Sequence, residues 1–198
     1  MHLRRRWANV PTESRRLPAH HRRALKRVHQ TARGKGIPML IRTYETRDQA
    51  AILRLTVSTF EPFYENYFRT LMGEAVFAHQ HGAWREDYKK QVAHLHDPQS
   101  GKHVAVCDVD GDLTGYVAWV VDPDRHHGEI DILAVSHTSR GQGTGRALCE
   151  HAFADMRAQG VEVVEIGTGD DPFHQPARAL YESLGCTPLP AVVYFKEL

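Results

Sequence analysis

Apolar residues recur at two spacings along this chain, and the switches between them mark its elements. From Met39, "MLIRTYE" reads as a strand. "TRDQAAILRLTVSTF" changes to helical spacing, with Ala51, Ile52 and Leu55 as its stripe and Thr46 and Gln49 at capping-box distance. "EPFYENYFRTLMGEAVF" is aromatic and irregular, which predicts a short helix and a loop. "AWREDYKKQVAHLHDP" puts Trp84, Tyr88, Val92 and Leu95 on one helical face and stops at Pro98. "KHVAVCDVDGDLTGYVAWVVD" is two strands joined at Asp110-Gly111, a strong hairpin signal. "GEIDILAV" is a further strand, followed by a glycine-rich turn and a helix to about Gln159. "VEVVEIGT" reads as a strand, "QPARALYESLG" as a helix closed by Gly185, and "AVVYFKEL" as a last strand.

The predicted order is therefore β-α-α-β-β-β-α-β-α-β. Hairpins followed by a βαβ crossover imply a mixed, mostly antiparallel central sheet flanked by helices, of α+β or α/β-like class. With 198 residues, one domain with a sizeable core is expected over 39–198.

Composition changes this picture at the N-terminus. Residues 1–38 hold 11 Lys and Arg against one acid, Glu13, whereas 39–198 hold 14 bases against 23 acids. A basic extension of net charge +10 thus precedes a body of net charge −9. The extension has no apolar h-region of a signal peptide. It is predicted to be helical around 18–33, with Leu25, Val28 and Ala32 on one side and Gly34 as its stop. It can pack on the body or a partner, or Met39 can be the true start. An acidic body can draw in a cationic substrate, or can simply be a solvated surface. No apolar run approaches the roughly 20 residues of a membrane helix, so no membrane partner is expected. Three scattered cysteines, Cys107, Cys149 and Cys186, argue against a disulfide framework and point to the cytoplasm. The histidine pairs 79/81, 94/96 and 126/127 lack zinc-site spacing, so no metal is expected.

"SRGQGTGRAL", from Ser139 to Leu148, sets Gly141, Gly143 and Gly145 between Arg140 and Arg146. It is not a P-loop, because no Gly-Lys-Ser/Thr occurs. Nor is it a dinucleotide fingerprint, because Arg146 stands where the third glycine belongs. The chemistry is still that of an anion cradle: flexible backbone, free N–H groups and the positive end of a helix dipole. A plain glycine turn would look similar.

"LAVSHTSRGQGTGRAL", with the later "ARALYESLGC", resembles the coenzyme A motif of the GCN5-related N-acetyltransferase (GNAT) superfamily, Arg/Gln-x-x-Gly-x-Gly/Ala, in Arg140 to Gly145. The resemblance covers 39–198. It implies the acyl-CoA N-acyltransferase fold, with acetyl-CoA as cosubstrate. Cofactor contacts would come from Leu133, Ala134, Val135, Arg140, Gly141, Gln142, Gly143, Thr144, Gly145 and Arg146, and the backbone N–H near Val135 would hold the oxyanion.

Acetyl transfer to an amine needs a base and an acid for the leaving thiolate. On strand alternation Glu129, Asp131, Leu133 and Val135 share one face and Ile130, Ile132 and Ala134 the other. Two carboxylates on one face suggest a base, and the resemblance favours Glu129 first and Asp131 second. Either could instead pair with a cation or bind the substrate. The resemblance makes Tyr181 the general acid, though it could simply pack beside Ala177, Leu180 and Leu184. His174, in "GDDPFHQPA", can line the site or cap the helix after it. Aromatics interleaved with acids in 58–84 can hold an ammonium, with Glu61, Tyr64, Tyr67 and Trp84 as candidate contacts, although most of those rings suit a core. A small polyamine-like or aminoglycoside-like acceptor is expected. Alternatives are a protein lysine or N-terminal acetyltransferase, and a non-catalytic acyl-CoA sensor or nucleic-acid-binding module using residues 1–38. A homodimer accords with the resemblance.

Overall fold

In the computed structural model, residues 28–31, 38–96 and 100–198 are described. Among the described residues, the sheet has six strands in sequence order. They are β1 (Val28–Thr31), β2 (Pro38–Thr43), β3 (Lys102–Val109), β4 (Asp112–Asp122), β5 (His127–Val135) and β6 (Val163–Ile166). All pairings are antiparallel except β5 with β6. The mixed sheet expected from the element order is thus present.

The helix expected over 18–33 meets the described residues only at its end. There, residues 28–31 are a strand paired with β2, so the sheet begins before Met39.

The β3–β4 turn forms as its Asp-Gly pair requires. Asp110 and Gly111 both have positive φ, 53° and 92°, which match the right-handed twist of the flanking strands.

Helices cover both faces. On one side lie α1 (Gln49–Glu61), α2 (Arg69–His81) and α3 (Trp84–Ala93). Ile52, Trp84, Tyr88 and Val92 pack there against Val106, Tyr116, Ala118, Ile132 and Ala134. On the other side lies α4 (Thr144–Ala158), whose Ala147, Leu148, Ala152 and Met156 meet Ile41, Cys107, Val117, Trp119 and Ile130. Burial on both faces explains the unbroken apolar runs of β3 and β4. Two polar anchors fix these layers: Tyr116 and Thr56 share a buried hydroxyl bond of 2.7 Å, and Trp119 donates to Asp155 across 3.0 Å.

Four local expectations change. The acid that closes the start of α1 is Asp48, which accepts from the Glu45 amide at 2.8 Å. The box therefore sits one residue before Thr46 and Gln49. The aromatic stretch predicted as helix plus loop is helical almost throughout. Pro62–Phe68 forms a π-helix whose end, Arg69 N–H to Tyr64 O, runs directly into α2. Only Gly73, at φ 81°, breaks the run.

The third change concerns β5. Ala118 pairs with Ile132, but Trp119 pairs with Ile130, so Asp131 is an extra residue, a β-bulge. The bulge reverses alternation. Ile132 and Ala134 face α1 and α3, while Ile130 joins Leu133 and Val135 on the α4 side. Glu129 and Asp131 thus keep one face, but their neighbours on it are Ile132 and Ala134, not Leu133 and Val135.

The fourth is the C-terminus. Helix α5 (Gln175–Ser183) is closed by Gly185 at φ 87°, as expected. Beyond it, "AVVYFKEL" forms no strand and lies outside the sheet.

Candidate active site

The site grows from the place where β5 and β6 part. Their parallel pairing runs only from His127–Val163 to Ile130–Ile166. From Asp131 to Val135, β5 keeps β4 on one side and, among the described residues, has no strand on the other. The bulge lies at the parting point, so local twist and loss of the neighbour coincide. Leu133, Ala134 and Val135, the expected cofactor contacts, lie on this unpaired edge.

The chain then turns through a 3-10 segment, His137–Ser139, into the glycine loop. Gly141 and Gly143 have φ of 73° and 88°. Gly143 is the N-cap of α4 and supplies no capping side chain. Among the described residues, no protein acceptor takes the amides from Gly141 to Arg146, and the first helical bond is Ala147 N–H to Gly143 O at 2.9 Å. A row of free donors at a helix start suits a pyrophosphate in charge and geometry. Gln142 donates to Thr138 O at 2.8 Å and braces the loop.

The two arginines differ. Arg140 is exposed, with no side-chain partner among the described residues. Arg146 reaches away to Ser183 Oγ at 2.7 Å and to Glu150. Gly145 permits the next contact: a Cβ there would lie 3.0 Å from Leu180 Cδ2 of α5.

Helix α5 carries Tyr181 beside Cys149 and Cys186. Burial, reinforced by those thiols, pushes its phenol well above the ordinary tyrosine value, so it stays protonated and able to donate. Cys149 is likewise pushed up to about 12 by burial, and Cys107 is raised by the same cause. Neither is a thiolate nucleophile.

The two strand carboxylates are not equivalent. Asp131 is held by Lys102 Nζ at 2.6 Å and by Gln91 Nε2 at 3.3 Å. Glu129 is half-buried, with Val120 and Glu165 as its strand neighbours, two residues before the parting point. Nothing in the sequence spacing pointed to Lys102 or Gln91 as partners.

Of the four expected acceptor contacts, Tyr64 and Trp84 are in the core, at 3% and 2% exposure. They stack on each other at 4.8 Å. Neither ring is open to solvent, whereas Glu61 and Tyr67 are less covered. Glu61 is exposed and paired with Arg85 at 2.5 Å. Tyr67 is half-buried and stacks on Phe63 at 6.2 Å. Glu65, another acid of this aromatic stretch, joins Trp84 Nε1, Arg85 and Arg69. Those bonds, first from Trp84, outweigh its burial and hold its carboxyl below the ordinary glutamate range.

Among the described residues, no helix is long and apolar enough to cross a membrane. Nor is any group of three or more His, Cys, Asp or Glu placed to hold a metal.

Known proteins share parts of this sequence and its fold. The chain is 33% identical over 136 residues to a mycothiol acetyltransferase of Thermomonospora curvata, covering 67% of this chain and 44% of that protein. It is 42% identical over 82 residues to the mycothiol acetyltransferase of Beutenbergia cavernae, covering 41% and 27%. It therefore spans less than half the length of these curated relatives. Among solved structures, an aminoglycoside N-acetyltransferase AAC(6')-Iy in complex with CoA superposes with a TM-score of 0.59 at 12% identity, covering 82% of this chain and 97% of that one. The model of the acetyltransferase (GNAT) family matches residues 59–186, from α1 through α5, and the chain belongs to that family.

Proposed function

We propose that this protein is an acetyl-CoA-dependent N-acetyltransferase that acts on a primary amine of a small cationic molecule. The observation that carries the reading is the unpaired edge of β5 leading into a loop of six free amides. The residues fit the cosubstrate. Amides of Gln142 to Gly145, with Arg140 alongside, bind the pyrophosphate, and the open edge from Leu133 to Val135 offers backbone partners to the pantetheine arm. When bound, acetyl-CoA supplies an activated acetyl group on a thiolate leaving group.

The chain's own groups divide the remaining work. A backbone N–H near Val135 stabilises negative charge on the acetyl oxygen. Tyr181, kept protonated by burial, hands its proton to the departing sulfur. Glu129 meets the acceptor's ammonium from the α3 side, with Glu61 and Tyr67 further out. Asp131 stays with Lys102 and shapes the bulge. The relatives' name, mycothiol acetyltransferase, supports a small-molecule acceptor, as does the −9 charge of residues 39–198.

Thiol release from acetyl-CoA, measured against spermidine, kanamycin and an unmodified peptide, tests this. Turnover with a small amine is expected, with Tyr181→Phe lowering kcat about 100-fold at constant KM for acetyl-CoA. Turnover of the peptide alone would move the acceptor to proteins. Absence of both turnover and acetyl-CoA binding would end the reading.

A further inference from the structure

The loop from β6 to α5 reads Gly169-Asp170-Asp171-Pro172-Phe173-His174, and it holds a dyad that the assignment above leaves idle. Asp171 caps the 3-10 turn Pro172–His174: its Oδ1 accepts the His174 backbone N–H at 3.2 Å. Its Oδ2 lies 2.6 Å from His174 Nδ1. Both side chains are largely buried, at 13% and 15% exposure. A carboxylate only accepts, so in the neutral ring Nδ1 carries the proton and Nε2 keeps its lone pair. No described residue bonds Nε2.

Three further contacts hold this arrangement. The imidazole is packed edge-on against Phe63 of the π-helix at 4.8 Å and against Phe173 at 5.0 Å. Arg178 Nη1 donates to Gly169 O and Asp171 O at 2.6 and 2.7 Å, strapping the turn to α5. Gly169 must lack a side chain, because a Cβ would stand 2.2 Å from Asp171 Oδ2 and 2.7 Å from His174 Nδ1. Capping requires only the backbone N–H of residue 174. The imidazole, its orientation and the glycine that makes room for it are additional to that need.

The dyad's place is also informative. The loop leaves the end of β6 where β5 has parted from it. Phe63 and Phe173 join the core layer under α1 and α3, the face that carries Glu129. Tyr181 follows His174 by seven residues, two turns along the same side of α5 and about 10 Å away along its axis. A protonated phenol thus lies near the C-terminal end of α5, and the imidazole lies just before its start.

We infer that His174 is the base that deprotonates the acceptor amine, with Asp171 as its positioning residue. This rests on the transferase reading. The incoming R–NH3+ gives one proton to Nε2, leaving R–NH2 and an imidazolium paired with Asp171. The nitrogen lone pair forms the N–C bond to the acetyl carbon, and the C–S bond breaks with its electron pair going to sulfur. Tyr181 protonates that sulfur and regains a proton from the acylated nitrogen. The imidazolium then releases its proton to water. One proton is produced per turnover, and no oxidant or reductant is needed.

The test uses the full chain, acetyl-CoA at saturation, and spermidine and kanamycin as acceptors. His174→Ala is expected to lower kcat 100- to 10,000-fold with acetyl-CoA binding by calorimetry unchanged, and added imidazole restores part of the rate. Asp171→Asn keeps an oxygen for the backbone cap but presents an amide N–H to Nδ1. The ring proton then moves to Nε2, and kcat falls without imidazole rescue. Nitrogen-15 shifts report the Nδ1–H tautomer in the parent and Nε2–H in Asp171→Asn, independently of turnover. His174→Gln, which keeps bulk, guards against a folding defect. A kcat within threefold of the parent in His174→Gln, or a loss in a folded His174→Ala that imidazole does not relieve, overturns the inference and leaves the transferase reading standing. A parent that turns over neither amine removes the transferase reading first, and this role with it.

Discussion

The two ends of the sheet are built to different standards. In the centre, β3 and β4 are covered on both faces, and Val106, Tyr116, Val117 and Trp119 are at most 1% exposed. Toward the C-terminus, β6 spans four residues with Val163 62% exposed, and no residue of α5 is fully buried. The tail after Gly185 leaves Leu189, Val192, Tyr194 and Leu198 in solvent. The proposed active site lies at the seam between these regions. The buried meander presents β5, and the less covered segment carries Tyr181 and His174, the groups proposed to act there. Local stability follows buried contacts, so groups that must admit and release a ligand sit at the weaker end.

Three experiments would break or sharpen that contrast. The largest effect is expected in the closed region. Arg42 bonds Asp48 at 2.7 and 2.9 Å and Asp108 at 3.1 Å, tying β2 to β3 and to the start of α1. Burial acts to raise the Asp48 carboxyl, but hydrogen bonds from Arg42 and the Glu45 amide outweigh it and hold it below its ordinary value. Asp48→Ala is expected to cost about 3 kcal/mol in urea unfolding. A carboxyl depressed by folding stabilises fully above its unfolded value of about 3.9, and that contribution is lost as pH falls through the lower folded value. The gap between parent and Asp48→Ala should therefore be widest near neutral pH and narrow below about pH 4. A gap that does not depend on pH would remove the ion-pair explanation.

A middle effect is expected at the seam. Gly145→Val pushes Leu180 away and shifts α5 against the glycine loop. Acetyl-CoA affinity by calorimetry should fall about tenfold, roughly 1.4 kcal/mol, with little change in the urea midpoint. An equal loss of global stability would mean that α5 is as integral as α4.

The smallest effect is expected in the open region. Deleting residues 189–198, most of them exposed, should change unfolding free energy by about 0.5 kcal/mol or less. A larger loss would show that the apolar tail covers something in solution.

The limits of sequence reading follow the same division. Trp84, Tyr88, Val92 and Leu95 form one buried face, as helical spacing implies. The Asp110-Gly111 turn and the glycine loop ahead of α4 are likewise local features, because φ preferences and capping act within a few residues. The inversion of faces at Asp131 left no mark in the text of β5. A bulge depends on how β4 pairs across it, not on its own residue types. Tyr64 and Trp84 show the same limit, since an aromatic in an acid-rich stretch reads alike whether it faces a ligand or a core. "AVVYFKEL" has strand composition but forms no strand here, because β-propensity is realised only against a neighbour.

What the residues alone determined, then, is the order of elements from β3 to α5, the glycine loop ahead of α4 and the family. These rest on short-range rules: side-chain period, turn chemistry and a compact motif. Tertiary structure decided where β5 leaves β6, which carboxylate Lys102 occupies, and that Asp171 fixes the ring of His174 beside Phe63. Each of those depends on groups brought together from distant parts of the chain or on the exact course of the backbone, and hydrogen bonds and packing act only at such distances.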